Sequence, residues 1–546
     1  RGSESISDTY DGLLPLSFTS SGTIAQTVAI AYNNDFLPVT LTYAGGTQNL
    51  SFDDDSLLVS SNSMDITRDT ENGFPIQLDD GVFTQNITRN TFGEISGESS
   101  SVNSDDIFSW TVLRNRNGKI IEKTEVLDGE SHIYNYTYDS LGRLTTVTDG
   151  DDAVIESYTY DANGNRISDL AGQTYSYDGQ DRLEAIGGIA YNFNVDGFLA
   201  SKVSGSETTG YTYSVGNELQ SVTLPSGTAI SYTYDPKGRR IAKSVDGTVT
   251  EKYLWGGRTM LLAIYDDNDN LLVRYEYSNT RLPYSMTAGG NLYYLHYDQV
   301  GSLKAVSDPT TGTIVKKVDY DSFGKITSDT NPSFRAGLGY GGGLFDTHTE
   351  LLYFAHRDYN PETGRWNAKD PVLFQGGDSN LYAYVANDPV NSNDPYGLSE
   401  TDIRYGDDYS YFDAFAETTK ESLAMLGDTF VIAGGATFMA GSSGFVGPAL
   451  GGALVLKGLL DLGFKQVNLN DKWDGNEPST SGDTLTETAK YIAPDDETLA
   501  DGASAISNTI NTFFTPPVGL GKLEKVNDVA GKIGFGDMLA DWWNGE

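Results

Sequence analysis

The chain has 546 residues, with 36 Lys+Arg against 76 Asp+Glu for a formal net charge of -40, and no cysteine. So acidic a surface repels phosphate backbones and excludes nucleic acid as a partner, while the absence of Cys excludes disulfides, zinc-cysteine sites and thiol nucleophiles. With 61 Gly, 34 Tyr and 23 Phe, the composition predicts an ordered, Tyr-rich, mostly β molecule. Histidine chemistry has few members to draw on, namely His132, His296, His348 and His356.

The sequence opens RGSESISDTYDG, without an initiator Met or a basic-then-apolar signal run, and this start is expected of a processed or excerpted piece of a larger precursor. From Tyr134 the chain repeats itself with a period of roughly twenty residues. The units include YNYTYDSLGRL (134 to 144), YTYDANGNRI (158 to 167), YSYDGQDRL (175 to 183), YTYDPKGRRI (232 to 241), LHYDQVGSL (295 to 303) and VDYDSFGKI (318 to 326). Tyr at alternate positions puts both rings on one face of a pleated strand, and Asp with Gly or Asn supplies the turn that closes a hairpin. One hairpin cannot bury its own apolar face, so the units are expected to stack into a continuous sheet.

These residues resemble the Rhs family, also called YD-repeat proteins. ITRDTENGFPIQL (66 to 78), NITRNTFGEI (86 to 95) and LRNRNGKIIEKTEVL (113 to 127) resemble that family's degenerate upstream repeats, so the likeness runs over about residues 10 to 398. It implies a YD-repeat β-hairpin sheet wound into a cocoon-like shell around the C-terminal segment of the same polypeptide. The implied divisions are degenerate repeats over 1–130, YD shell over 131–350, Rhs-associated core over 351–398 and a mainly α-helical domain over 399–546. Fewer than 400 shell residues is short for a closed cocoon, so an N-terminal portion of the precursor, or another shell protein, is implied as a partner.

Residues 351–398, LLYFAHRDYNPETGRWNAKDPVLFQGGDSNLYAYVANDPVNSNDPYGL, resemble the core that ends such shells. In many relatives this core is an aspartyl-protease-like site that cuts its own chain after the Leu of DPxGL, here between Leu398 and Ser399. The resemblance assigns Asp370 and Asp394 to the carboxylate pair and Arg357 to the supporting arginine, with Asp358 a weaker candidate. Two carboxylates held close cannot both ionise, so one keeps a proton as acid while the other activates water. Aspartates before Pro also end strands and start turns without any catalytic role. Asn360 stands where the family often has Asp.

After Leu398 the YD units stop. Residues 429–456, TFVIAGGATFMAGSSGFVGPALGGALVL, carry no charge and are long enough to span a bilayer, or to form an apolar hairpin inside the shell. Short helices are expected over 481 to 514 and an amphipathic helix at the end, closing on Trp542 and Trp543. The tail has neither His nor Cys, and no turnover enzyme is read in it.

Other signals are weak. Gly337, Gly339 and Gly342 satisfy GxGxxG without the βαβ context of a nucleotide site. DDNDN at 266–270 imitates a calcium loop, but Leu271 replaces the required Gly and Tyr277 the closing Glu. Asn49, Asn86 and Asn135 begin N-x-S/T triplets, which matter only in a glycosylating host. No cofactor and no metal is expected. The leading reading is a secreted or cell-surface bacterial polymorphic toxin, whose shell encloses a membrane-perturbing effector and whose tail has an immunity protein as partner. The alternative is a non-toxic extracellular adhesive YD-repeat protein whose C-terminal segment plugs or links subunits.

Overall fold

A computed structural model of the chain describes residues 2–404 apart from Leu13 and Asn279. The described residues are mostly β, with three short 3-10 turns and no α-helix among them. The helices expected over 399–546, and the charge-free stretch 429–456, lie outside the described residues except at the first few positions. No helix among the described residues is long and apolar enough to cross a membrane.

Two sixteen-stranded antiparallel sheets dominate. The first runs from Ser5–Asp11 to Arg166–Asp169 and the second from Tyr175–Tyr177 to Ile326–Asp329, and within each every strand pairs with its neighbours in sequence. That simple order follows from the repeat, because each unit supplies both strands of a hairpin and its turn.

The YD pair has a physical reason at each letter. In the unit ending Tyr160-Asp161, the Tyr160 hydroxyl donates to the Leu144 carbonyl of the preceding hairpin at 2.7 Å. Asp161 Oδ1 accepts from the backbone N–H of Asn163 at 2.9 Å and of Asn165 at 2.8 Å, and Gly164 takes φ +81. Tyr138 reaches Ile120 O at 2.6 Å, Tyr234 reaches Leu219 O at 2.8 Å and Tyr277 reaches Leu261 O at 2.6 Å in the same way. Tyr therefore stitches hairpin to hairpin, and Asp closes the turn.

The upstream repeats keep this scheme with other residues. Tyr32 donates to Pro15 O at 2.9 Å, and Asn33, Asn90 and Asn115 accept the turn N–H groups as Asp does elsewhere. Arg68 and Arg114 stand where the second Tyr would be, and donate to Leu58 O at 3.1 Å and Ile95 O at 3.2 Å. The run 266–270 is a hairpin turn, with Asp266 Oδ1 accepting from the N–H of Asn268 and Asn270.

The sheets meet through a shared apolar cluster that includes Leu41, Met64 and Phe83 of the first and Ile264, Tyr275 and Met286 of the second. Polar bonds cross the same junction: Tyr43 donates to Tyr275 O at 2.7 Å, and Gln48 donates to Tyr277 O at 2.6 Å.

Beyond the second sheet, the strands Leu344–Phe345, Leu352–Phe354, Arg357–Asn360 and Arg365–Trp366 form a small sheet. Its aromatic cluster of Tyr340, Phe354, Tyr359, Trp366 and Tyr384 packs with Val300 from a YD turn. This segment lies across the Asp-turn ends of both large sheets and donates to their carbonyls. Asn387 bonds Gly164 O at 2.9 Å, Arg365 bonds Asp181 O at 2.7 Å, Tyr382 bonds Gly197 O at 2.9 Å, Asn393 bonds Val300 O at 3.1 Å and Tyr359 bonds Phe323 O at 2.7 Å. The turns that build the sheets also fix the segment that carries the candidate site.

Candidate active site

Arg357 opens the strand Arg357–Asn360, and the period of two sends its side chain and that of Asp358 to opposite faces. Arg357 is buried, with its guanidinium over the Trp366 ring at 4.2 Å from the centroid. Its Nη2 lies 2.8 Å from Asp370 Oδ2 and 3.2 Å from Asp394 Oδ2, so a single nitrogen serves both carboxylates. Nε donates to Gly397 O at 2.5 Å, one residue before Leu398.

Asp370 follows Lys369 into an Asx turn, its Oδ1 accepting from Val372 N–H at 2.8 Å. Asp394 begins the turn DPYG, and Gly397 takes φ +66 there. A side chain at Gly397 would also come within 2.6 Å of Phe354 O, so both conformation and space demand Gly. The turn directs Asp394 Oδ1 at the peptide N–H groups of Leu398, 3.0 Å away, and Ser399, 3.2 Å away. The carboxylate therefore holds the amide of the Leu398–Ser399 bond itself.

Opposite this amide, Gly376 leaves space that a side chain would fill. A β-carbon there would lie 2.7 Å from Leu398 O and 2.9 Å from Asp370 Oδ2, so these two oxygens flank one gap. A cavity of about 40 Å³ is lined by Arg357, Asp370, Gly376, Asp394, Leu398 and Ser399 among others. That is room for water beside two carboxylates and a peptide carbonyl.

Burial pushes the Asp394 carboxyl up to about 6, against the pull of Arg357 and the N–H groups of Leu398 and Ser399, and with a further push from Asp370. Burial raises Asp370 as well, although Arg357 and the Val372 N–H pull it down. The pair thus retains a proton at a pH where isolated carboxylates have lost theirs.

Of the residues singled out from sequence, the structure brings Arg357, Asp370, Asp394, Leu398 and Ser399 together and leaves Asp358 out. Asp358 faces the second sheet, where it accepts from Arg240 at 2.8 and 2.9 Å in a buried ion pair. Asn360 closes its own turn, its Oδ1 accepting from Glu362 N–H at 3.1 Å.

The sequence from residue 7 to 390 matches the teneurin YD-shell family. The chain belongs to that family. This YD-shell protein is 28% identical to mouse (Mus musculus) Teneurin-4 over 314 residues, 54% of this chain and 11% of that protein. It is 31% identical to the tRNA nuclease WapA of Bacillus subtilis (strain 168) over 281 residues, 50% of this chain and 10% of that protein. The chain therefore spans about a tenth of the length of these curated relatives. Among solved structures, the Photorhabdus luminescens Tc holotoxin pore shares the fold at TM-score 0.58 and 20% identity, covering 71% of this chain and 23% of that one. A TcdB2-TccC3-TEV crystal structure does so at TM-score 0.54 and 20% identity, with 68% and 21% covered.

Sequence reasoning about this YD-shell protein missed Gly376 and Trp366. The Gly-Gly pair 376–377 between two polar turns was a usable signal for a tight backbone approach. Nothing in the spacing of Trp366 marked it as the ring beneath Arg357.

Proposed function

We propose that this protein is a toxin-like YD shell whose core segment cuts its own chain between Leu398 and Ser399. The observation that carries this reading is the Arg357-bridged carboxylate pair, with Asp394 already on the amide of that bond. Asp370, paired more closely with Arg357, is the base that takes a proton from water. The water oxygen adds to the Leu398 carbonyl carbon, and protonated Asp394 gives its proton to the Ser399 nitrogen as the C–N bond breaks. Holding nucleophile, acid and amide within one buried cluster makes the step intramolecular.

The similarity to WapA and the Tc toxin fold supports residues 399–546 as cargo. In this reading the protein is secreted or displayed at the bacterial surface, the charge-free stretch 429–456 engages a membrane, further shell comes from the precursor or a partner, and an immunity protein neutralises the tail. The matches to teneurins favour a second reading, an adhesive surface module whose tail links subunits. Leakage from liposomes on addition of the cut protein is expected under the first reading and not under the second.

The cut is tested by intact mass under denaturing conditions. The native chain is expected to give one fragment ending at Leu398 and one starting at Ser399, and Asp394→Asn to remain whole. An uncut native chain removes the protease assignment.

A further inference from the structure

A second reactive constellation lies away from this site, between the second sheet and the core segment. Lys243, in the strand Arg240–Val245, places Nζ 2.6 Å from Oδ1 of Asp346, which lies in the turn after Leu344–Phe345. Their side chains are 1% and 6% exposed. The Tyr232 hydroxyl donates to Asp346 Oδ2 at 2.7 Å. The backbone N–H groups of His348 and Thr349 donate to Oδ1 at 2.8 and 3.2 Å. His348 Nδ1 lies 3.0 Å from Lys243 Nζ, and the residue is itself exposed to solvent.

Buried Lys–Asp pairs occur elsewhere in this molecule, as at Lys316–Asp329. This one also surrounds the carboxyl with the groups an acyl transfer needs: an amine as nucleophile, an imidazole on that amine, two N–H groups on one oxygen and a phenol on the other. We propose that Lys243 and Asp346 join through an intramolecular isopeptide bond. His348 takes a proton from Nζ, which adds to Asp346 Cγ while the negative charge on Oδ1 is held by the two backbone N–H groups. The Cγ–Oδ2 bond then breaks. Two of the three ammonium protons leave with Oδ2 as one water, relayed by His348 and Tyr232, so ammonium and carboxylate become a neutral amide and water with no other reagent.

Asp346 rests as a carboxylate. Burial opposes the charge on Asp346, but Lys243 and the hydrogen bonds from Tyr232 and His348 outweigh it and hold the carboxyl below its ordinary range. Reaction therefore runs through the minor neutral state, and permanent juxtaposition inside the fold offsets that small population. In a chain without Cys, the bond ties the core segment to the second sheet covalently. Both residues precede Leu398, so this inference stands whether or not the chain is cut there.

Peptide mass spectrometry of the folded full chain tests it. The expected product is a branched peptide joining the Lys243 and Asp346 segments and lighter than their sum by one water, absent from Lys243→Arg and Asp346→Ala. In freshly synthesised His348→Ala chains its formation is expected to be about a hundredfold slower. Only separate linear peptides from folded native protein overturn the bond, whatever the variants do. Branching at an unchanged rate in His348→Ala overturns the role given to that histidine.

Discussion

At the scale of single residues, one arginine organises the candidate site. Arg357 Nη2 touches both Asp370 and Asp394, while its neighbour Asp358 neutralises Arg240 on the other face of the same strand. The two aspartates beside Arg357 and the one behind it are expected to respond differently to loss of charge. Asp358→Asn leaves the Arg240 charge buried with a weakened partner and is expected to destabilise the fold by about 3 kcal/mol, read by urea unfolding, while the chain that folds is still cut. Asp370→Asn is expected to leave the urea midpoint nearly unchanged and to abolish cutting. The KDP and NDPYGL motifs made Asp370 and Asp394 legible in the sequence by resemblance. The placement of Asp358 follows from strand geometry alone: in a strand, the residue next to a site residue points away from the site.

At the scale of elements, the YD hairpin was legible as a strand-turn-strand repeat, because period-two tyrosines and Asp-x-x-Gly turns are local signals. What the tyrosine hydroxyl does was not, since its acceptor lies in the previous hairpin and sequence gives no distance to it. The same gap hid why Arg68 and Arg114 can replace Tyr upstream: either side chain delivers a donor to that carbonyl. Tyr160→Phe keeps the ring and strands the Leu144 carbonyl, for an expected loss of about 1–2 kcal/mol in urea unfolding. The turn glycines give a graded test. Gly142 has φ +85 and meets only the flexible end of Lys119, whereas Gly324 has φ +87 and a β-carbon there would lie 2.4 Å from the Tyr340 ring. Gly142→Ala is expected to cost about 1 kcal/mol, and Gly324→Ala clearly more, because Tyr340 belongs to the packed aromatic cluster of the core segment.

At the scale of the whole molecule, what was not legible is how the two sheets meet, since pairs such as Tyr43 with Tyr275 are hundreds of residues apart and share no motif. One of these junctions gives a pH response. His296 of the second sheet is buried, with Nδ1 2.6 Å from Ser100 Oγ of the first and Nε2 2.8 Å from Ser307 Oγ. Burial holds its pKa down at about 3 from an ordinary 6.5, so the folded state carries a neutral ring that the unfolded chain protonates. Its contribution is intact above pH 6.5 and is lost as pH falls towards 3, an effect on the order of 5 kcal/mol. Comparing urea midpoints against pH, the native chain is expected to lose stability over that window relative to His296→Gln. Parallel curves would place the acid response elsewhere.

The central claim is that the Arg357-bridged aspartates cut the Leu398–Ser399 bond, and the most direct measurement is the rate of cutting against pH in freshly synthesised chain. The carboxyl pair predicts a bell. The rate falls on the alkaline side as Asp394, pushed up to about 6, loses the proton it gives to the leaving nitrogen, and on the acid side as Asp370 gains the proton it must accept. A rate that stays flat through pH 6 to 8, or a chain that remains whole at every pH, contradicts the account.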